Sequence, residues 1–104
     1  MPNEPDLIDD VIEFWEKIRK EDEVMIKFEK ADGTDRIMHC TLNFDKIPVG
    51  DKPKSVNVPM IINLARNSKI VHVYDLEKRG WRSVPFKRTE WLQIPDRTRY
   101  FIKR

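Results

Sequence analysis

A chain of 104 residues holds one hydrophobic core and is too short for two. Its 39% hydrophobic residues can supply that core, while 37% charged residues imply a heavily solvated surface rather than a disordered chain. A single cysteine, Cys40, excludes an intrachain disulfide and any metal knuckle built on paired cysteines. No apolar run nears the ~20 residues of a membrane span, and acids stand where a secretory signal would carry lysines, so a cytoplasmic protein without membrane association is expected.

The net charge of +2 hides an uneven distribution. Residues 1–35 carry twelve acids against five bases, and residues 36–104 six acids against fifteen bases. That asymmetry points to a polyanion-facing surface or to an internal acid-on-base contact.

In chain order, Asn3, Glu4 and Pro5 suit the start of a helix, with Asp6, Asp9 and Asp10 placed for its positive end. Leu7, Val11, Phe14 and Ile18 recur at helical spacing, and Ile8, Ile12 and Trp15 widen the apolar stripe to about 160° at 100° per residue. The spacing predicts a helix over residues 5–20. So wide a stripe leaves room for a homo-oligomer or host-protein contact as well as core packing.

Alternation begins at Glu23 and runs to Lys30; Asp32-Gly33 supplies a turn, and a second alternating run follows from Arg36 to Leu42, so a hairpin is expected. Residues 43–58 read as irregular, with a short helix after Pro59 built on Met60, Ile61, Ile62, Leu64 and Ala65. Lys69–Asp75 and Trp81–Phe86 alternate about a turn at Leu76–Gly80, and Thr89–Ile94 makes a fifth strand. Residues 95–104 read as a basic tail carrying Tyr100, Phe101 and Ile102. The expected fold class is α+β: one domain over 1–104, an N-terminal helix followed by a five-stranded small β-barrel over residues 23–94, with a long loop carrying a short helix between its second and third strands.

Two stretches carry a resemblance: Arg36-Ile-Met38-His-Cys40-Thr41-Leu42 and Val73-Tyr74-Asp75-Leu76-Glu77-Lys78-Arg79-Gly80-Trp81-Arg82-Ser83. Together they resemble a family of small WYL-type, Sm-like (SH3-type barrel) proteins of tailed bacteriophages and some bacteria. The likeness covers about residues 23–94 and implies the Sm-like barrel and a phage-type origin. Larger WYL-domain regulators are thought to sense nucleic acid or nucleotide-like ligands, which implies nucleic-acid binding here.

Catalysis has little to stand on. His72, Asp75 and Ser83 are residue types of a nucleophilic triad, but a turn centred on Lys78 would put Ser83 opposite Val73 and send His72 and Ser83 to opposite faces. Adjacent His39 and Cys40 point oppositely along a strand, which argues against a metal site, and glycines at 33, 50 and 80 match no phosphate-binding loop. No cofactor is expected. The same register would pair Tyr74 with Arg82 as a stacked aromatic and guanidinium able to receive a base.

Basic residues gather in the connections that correspond to Sm-type RNA-binding loops: Lys46, Lys52, Lys54 and Arg66 before the third strand, Lys87 and Arg88 before the fifth. Joined by Arg97 and Arg99 of the tail, and by Tyr74 and Arg82, they would form a surface for RNA or single-stranded DNA. The expected function is therefore a non-catalytic, nucleic-acid-binding accessory protein. The alternative is a protein-interaction module that modulates a host enzyme through the acidic first helix.

Overall fold

The computed structural model describes residues 7–95 and 99–102. In chain order it holds β1 (Leu7–Ile8), α1 (Val11–Lys20), β2 (Val24–Glu29), β3 (Asp35–Thr41), α2 (Val58–Ser68), β4 (Ile70–Asp75), β5 (Gly80–Pro85), β6 (Thr89–Gln93) and β7 (Arg99–Ile102). Single 3-10 turns occupy Phe44–Lys46, Val49–Asp51 and Phe86–Arg88. Among the described residues no helix is long and apolar enough to cross a membrane.

The first helix starts later than its apolar spacing predicts. Asp10 is its N-cap, in extended conformation, and its carboxylate accepts the Ile12 N–H at 3.2 Å. Leu7 and Ile8 lie before that cap in a strand, so the helical periodicity that included them was fortuitous; residues 5 and 6 lie outside the described residues. Val11, Phe14, Trp15 and Ile18 are all buried, and Ile12 packs against the core from its rim. The wide stripe has a plain cause: α1 meets β1, β4 and α2 at once. The helix is thus a core element rather than a detached amphipathic ligand.

The hairpin of β2 and β3 forms where the sequence predicts it, with pairs running from Val24 opposite Cys40 to Glu29 opposite Asp35. Its turn needs Gly33 at φ +88°, and the Asp32 carboxylate accepts from both the amide and the hydroxyl of Thr34, at 3.0 and 2.6 Å. These bonds hold the Asp32 carboxyl below its ordinary pKa. The second helix is longer than the short helix expected after Pro59 because Asn57 caps it, accepting from the Met60 N–H at 3.1 Å, and Lys69 closes it at φ 56°.

The strands form one mixed sheet of seven, ordered β1-β7-β6-β2-β3-β4-β5, and the sheet does not close. This corrects the expected five-stranded barrel. Two strands were unforeseen: β1 pairs in parallel with β7, Leu7 opposite Phe101 and Ile8 opposite Ile102, and β7 pairs antiparallel with β6. The stretch read as a basic tail is therefore sheet from Arg99 to Ile102, with Ile102 buried. Apolar side chains at alternate positions needed a partner face, and the Ile8 and Leu92 neighbourhood supplies it.

Between β3 and β4 only two pairs form, Cys40 with Asp75 and Thr41 with Tyr74. Earlier residues of β4 leave β3 behind, so the sheet coils around a core of Phe14, Ile18, Val24, Ile26, Met38, Val73, Val84 and Leu92. Phe14 meets Phe86 there with ring centroids 5.6 Å apart. A residue such as Ile26, fully buried, contributes roughly 2–5 kcal/mol relative to alanine.

Candidate functional site

The β4–β5 hairpin is offset by one residue from the register expected for a turn centred on Lys78. Asp75 pairs with Gly80, so the loop is Leu76–Arg79, and Tyr74 stands opposite Trp81 while Arg82 stands opposite Val73. The cause is local. The Asp75 carboxylate accepts the Glu77 and Lys78 amides at 3.0 Å each, which tightens the loop, and Arg79 at φ 54° closes it. The expected Tyr74–Arg82 stack does not form.

Tyr74 is not an open platform either, being only 1% exposed. Its hydroxyl donates to the Asp51 carboxylate at 2.7 Å, and its ring meets Trp81 edge-on at 5.7 Å. Trp81 donates its indole N–H to the Asp51 carbonyl at 2.8 Å. Withdrawal from water, then the hydrogen bond to Asp51, raise the phenol's pKa above its ordinary value. Asp51 thereby clamps the connection after β3 onto the hairpin. That connection also rests on buried Ile47 and on Asn43, whose side-chain amide donates to Asp22 at 2.8 Å.

The clamp leaves a groove of about 840 Å³ between α1, α2, the clamped connection and the first half of β4. Trp15 of α1, Leu42, Phe44, Val56, Ile61 and Leu64 of α2, Ile70 and Trp81 give it apolar walls. Its polar lining is mixed in sign: Arg19 and Lys20 on one hand, Glu21, Asp22 and Asp45 on the other. Leu64 is 51% exposed at the rim, and Met60, one turn earlier on the same stripe of α2, is more open still. The volume falls in the range of ligand-binding clefts. Sequence reading missed this site because α2 was expected to be shorter and residues 43–58 irregular; the run Val58–Ala65 was the signal that could have found it.

His72 lines the same groove, and the true register brings Ser83 opposite it, with Ser83 Oγ and His72 Nδ1 3.2 Å apart. The two share a face, which corrects the expectation that they lie on opposite ones. Asp75 does not join them. It lies on the other face of β4, buried, where Arg36 donates to its carboxylate. Cys40 and His39 do point oppositely: Cys40 is fully buried and burial pushes its thiol pKa well up, while His39 meets Glu23 on the outer face.

The cations expected to form one surface are dispersed. Lys46 is 3.2 Å from Glu23 just before β2, and the hydrogen bond from Lys46 outweighs partial burial in holding the Glu23 carboxyl below the usual range. Arg88 shares a small acidic recess with Glu29, Asp35 and Glu90 at the far end of β2. The two ends are about 17 Å apart at ~3.3 Å per residue. Arg99 lies 4.3 Å above the Trp91 ring and donates to Gln93 at 3.2 Å. Arg82 is exposed and turns its guanidinium back on the Trp81 carbonyl at 3.0 Å. Lys52 and Lys54 lie on the connection beyond the Asp51 clamp, Lys54 exposed. Two local pairings remain: the Phe86 N–H bonds to the Lys69 carbonyl at 2.8 Å and joins the end of α2, with Arg66, to the turn carrying Lys87, and the Trp81–Asp51 bond sets the residue before Arg82 against the residue before Lys52. Arg97 lies outside the described residues.

A small, coiled, mostly antiparallel sheet with helices packed on its concave side is the architecture of a small β-barrel left open. Residues 11–88 match the family model WYL_2, Sm-like SH3 beta-barrel fold, and the chain belongs to that family. The match takes in α1, which the resemblance read from the sequence had left out, and stops before β6. No curated protein and no solved structure matches the chain.

Proposed function

We propose that this protein is a non-catalytic binding module whose groove receives an apolar segment of a partner protein. The observation that carries the reading is the open cleft of about 840 Å³ walled by Trp15, Phe44, Ile61 and Leu64, with Leu64 and Val56 left about half in water at its mouth, because exposed apolar side chains rimming a concave site are what a partner's side chains cover. The Asp51 clamp supports it by fixing one wall before any ligand arrives, which lowers the ordering cost of binding. The non-catalytic part draws support from the commitment of Asp75 to Arg36 and of Cys40 to the core. The phage-type origin, cytoplasmic setting and host-protein partner belong to the same proposal.

Selection of displayed peptides on the immobilised protein tests this. Enriched peptides should carry large apolar residues, and Leu64→Asp and Val56→Asp should each abolish their binding while leaving the melting temperature almost unchanged, since both side chains are exposed. Equal binding to parent and variants would remove the groove from consideration.

A second reading, electrostatic binding of RNA or single-stranded DNA, is favoured by one observation: exposed Arg66 and Lys87 flank Lys69 where α2 meets the turn after β5. Fluorescence anisotropy with single-stranded oligonucleotides at two salt concentrations checks it. Binding should weaken steeply with salt and with Arg66→Glu combined with Lys87→Glu; no binding at low salt disposes of it.

A further inference from the structure

Helices pack on only one side of the sheet, and the other side carries an ordered pattern of its own. Strand pairing places Leu7, Phe101, Trp91, Lys27 and Ile37 in one row across five strands. Leu7 is 48% and Ile37 52% exposed and Phe101 is partly so, while Trp91 between them is only 8% exposed, with Arg99 over its ring. Such residues are out of keeping with the solvated face of an antiparallel sheet, which alternation ordinarily keeps polar. To one side of this row lies an end where Arg99 and His39 stand in register across β7, β6, β2 and β3, and Arg99 and Lys46 outnumber Glu23. To the other side lies an acidic end of Glu29, Asp35 and Glu90, which outnumber Arg88 beside them. Glu90 belongs to this face because the β2–β6 bulge leaves it turned to Lys27, 3.1 Å away.

We infer that this face is the contact surface for a second copy of the chain, packed sheet to sheet about a two-fold axis running across the strands. That axis reverses the strand direction and keeps each strand over its counterpart. Arg99 of one copy then meets Glu90 of its partner, His39 meets Asp35, and Ile37 meets Ile37, while Lys27 meets Lys27 between the Glu90 and Asp35 carboxylates of both copies, so the apolar part of the row is covered by itself. An axis along the strands would instead set basic end on basic end. A polyanion fits less well, because Lys27 at the centre is engaged by Glu90 and Asp35 and the acidic end would repel phosphate. The footprint, about 20 Å by about 15 Å from strand spacing and rise, suits a small, concentration-dependent contact rather than an obligate dimer.

Sedimentation velocity of the full chain over a rising concentration series tests the proposal, with circular dichroism confirming that each variant is folded. The parent should shift from one chain toward two. Ile37→Asp, which sets like charges together on the axis, should stay a single chain. Arg99→Glu should weaken association about tenfold, the loss being counted twice across the axis, and adding Glu90→Arg should restore it. A parent that stays single at every concentration, an assembly larger than two, unaltered association of Ile37→Asp, or no recovery in the double variant would each overturn it.

Discussion

Arg36 donates its guanidinium to the carboxylate of Asp75, tying the start of β3 to the end of β4 where few ladder pairs hold those strands together. Asp75 is 1% exposed, and it also accepts the two amides that shape the following turn. One carboxylate therefore sets both the seam in the sheet and the hairpin register on which the groove depends.

Arg36→Met should destabilise the fold by about 3 kcal/mol, at the low end for breaking a buried pair because the Glu77 and Lys78 amides still serve the stranded carboxylate. Urea unfolding gives the number. Asp75→Leu combined with Arg36→Met should cost less than the two single changes added together.

Tyr74 makes stability sensitive to alkali. Its phenol titrates higher in the folded chain than in the unfolded one, so its contribution is complete below the free phenol's pKa and is lost as pH rises toward the folded value. Thermal melts through the alkaline range should show a decline that Tyr74→Phe reduces, at the cost of the Asp51 bond. Indole emission from Trp81 should shift to the red in Asp51→Ala as the clamp loosens.

Gly33→Ala should cost about 1 kcal/mol although nothing lies within 4 Å of the added methyl, because the penalty comes from φ +88° and not from crowding. Gly33→Asn should cost less. Chemical denaturation of the two variants separates conformational strain from packing.

Ending the chain at Pro95 should lower stability by at least about 3 kcal/mol, since Ile102 leaves the core and the partners of β1 and of one side of β6 are lost. Retention of the parent's denaturation midpoint would mean that β7 adds little to the sheet.

Alternation made β2 through β6 readable: Val24, Ile26 and Phe28 face inward as their spacing requires, and Asp32-Gly33 marks its turn unaided. Leu7 and Ile8 were misassigned because two residues cannot establish a period, and their helical phase with Val11 and Phe14 was coincidental. The β4–β5 register depended on a side chain accepting backbone amides, which composition does not display. For the site, the dispersal of Lys46, Arg88 and Arg99 is a property of strand pairing, since each meets its neighbour from a distant part of the chain: Glu23, the Asp35 recess, Trp91. The groove arises from a tertiary clamp, Asp51 on Tyr74 and Trp81, and of its walls only α2 was legible, in the run Val58–Ala65.

The parallel ladder of β1 with β7 gives synthesis a particular order of events. Leu7 leaves the ribosome long before Phe101 and must wait for it, so one margin of the sheet is stitched only after the whole stretch between them has emerged. Until then Ile8 lacks its strand partner, and the nascent chain is at its most aggregation-prone just before β7 emerges.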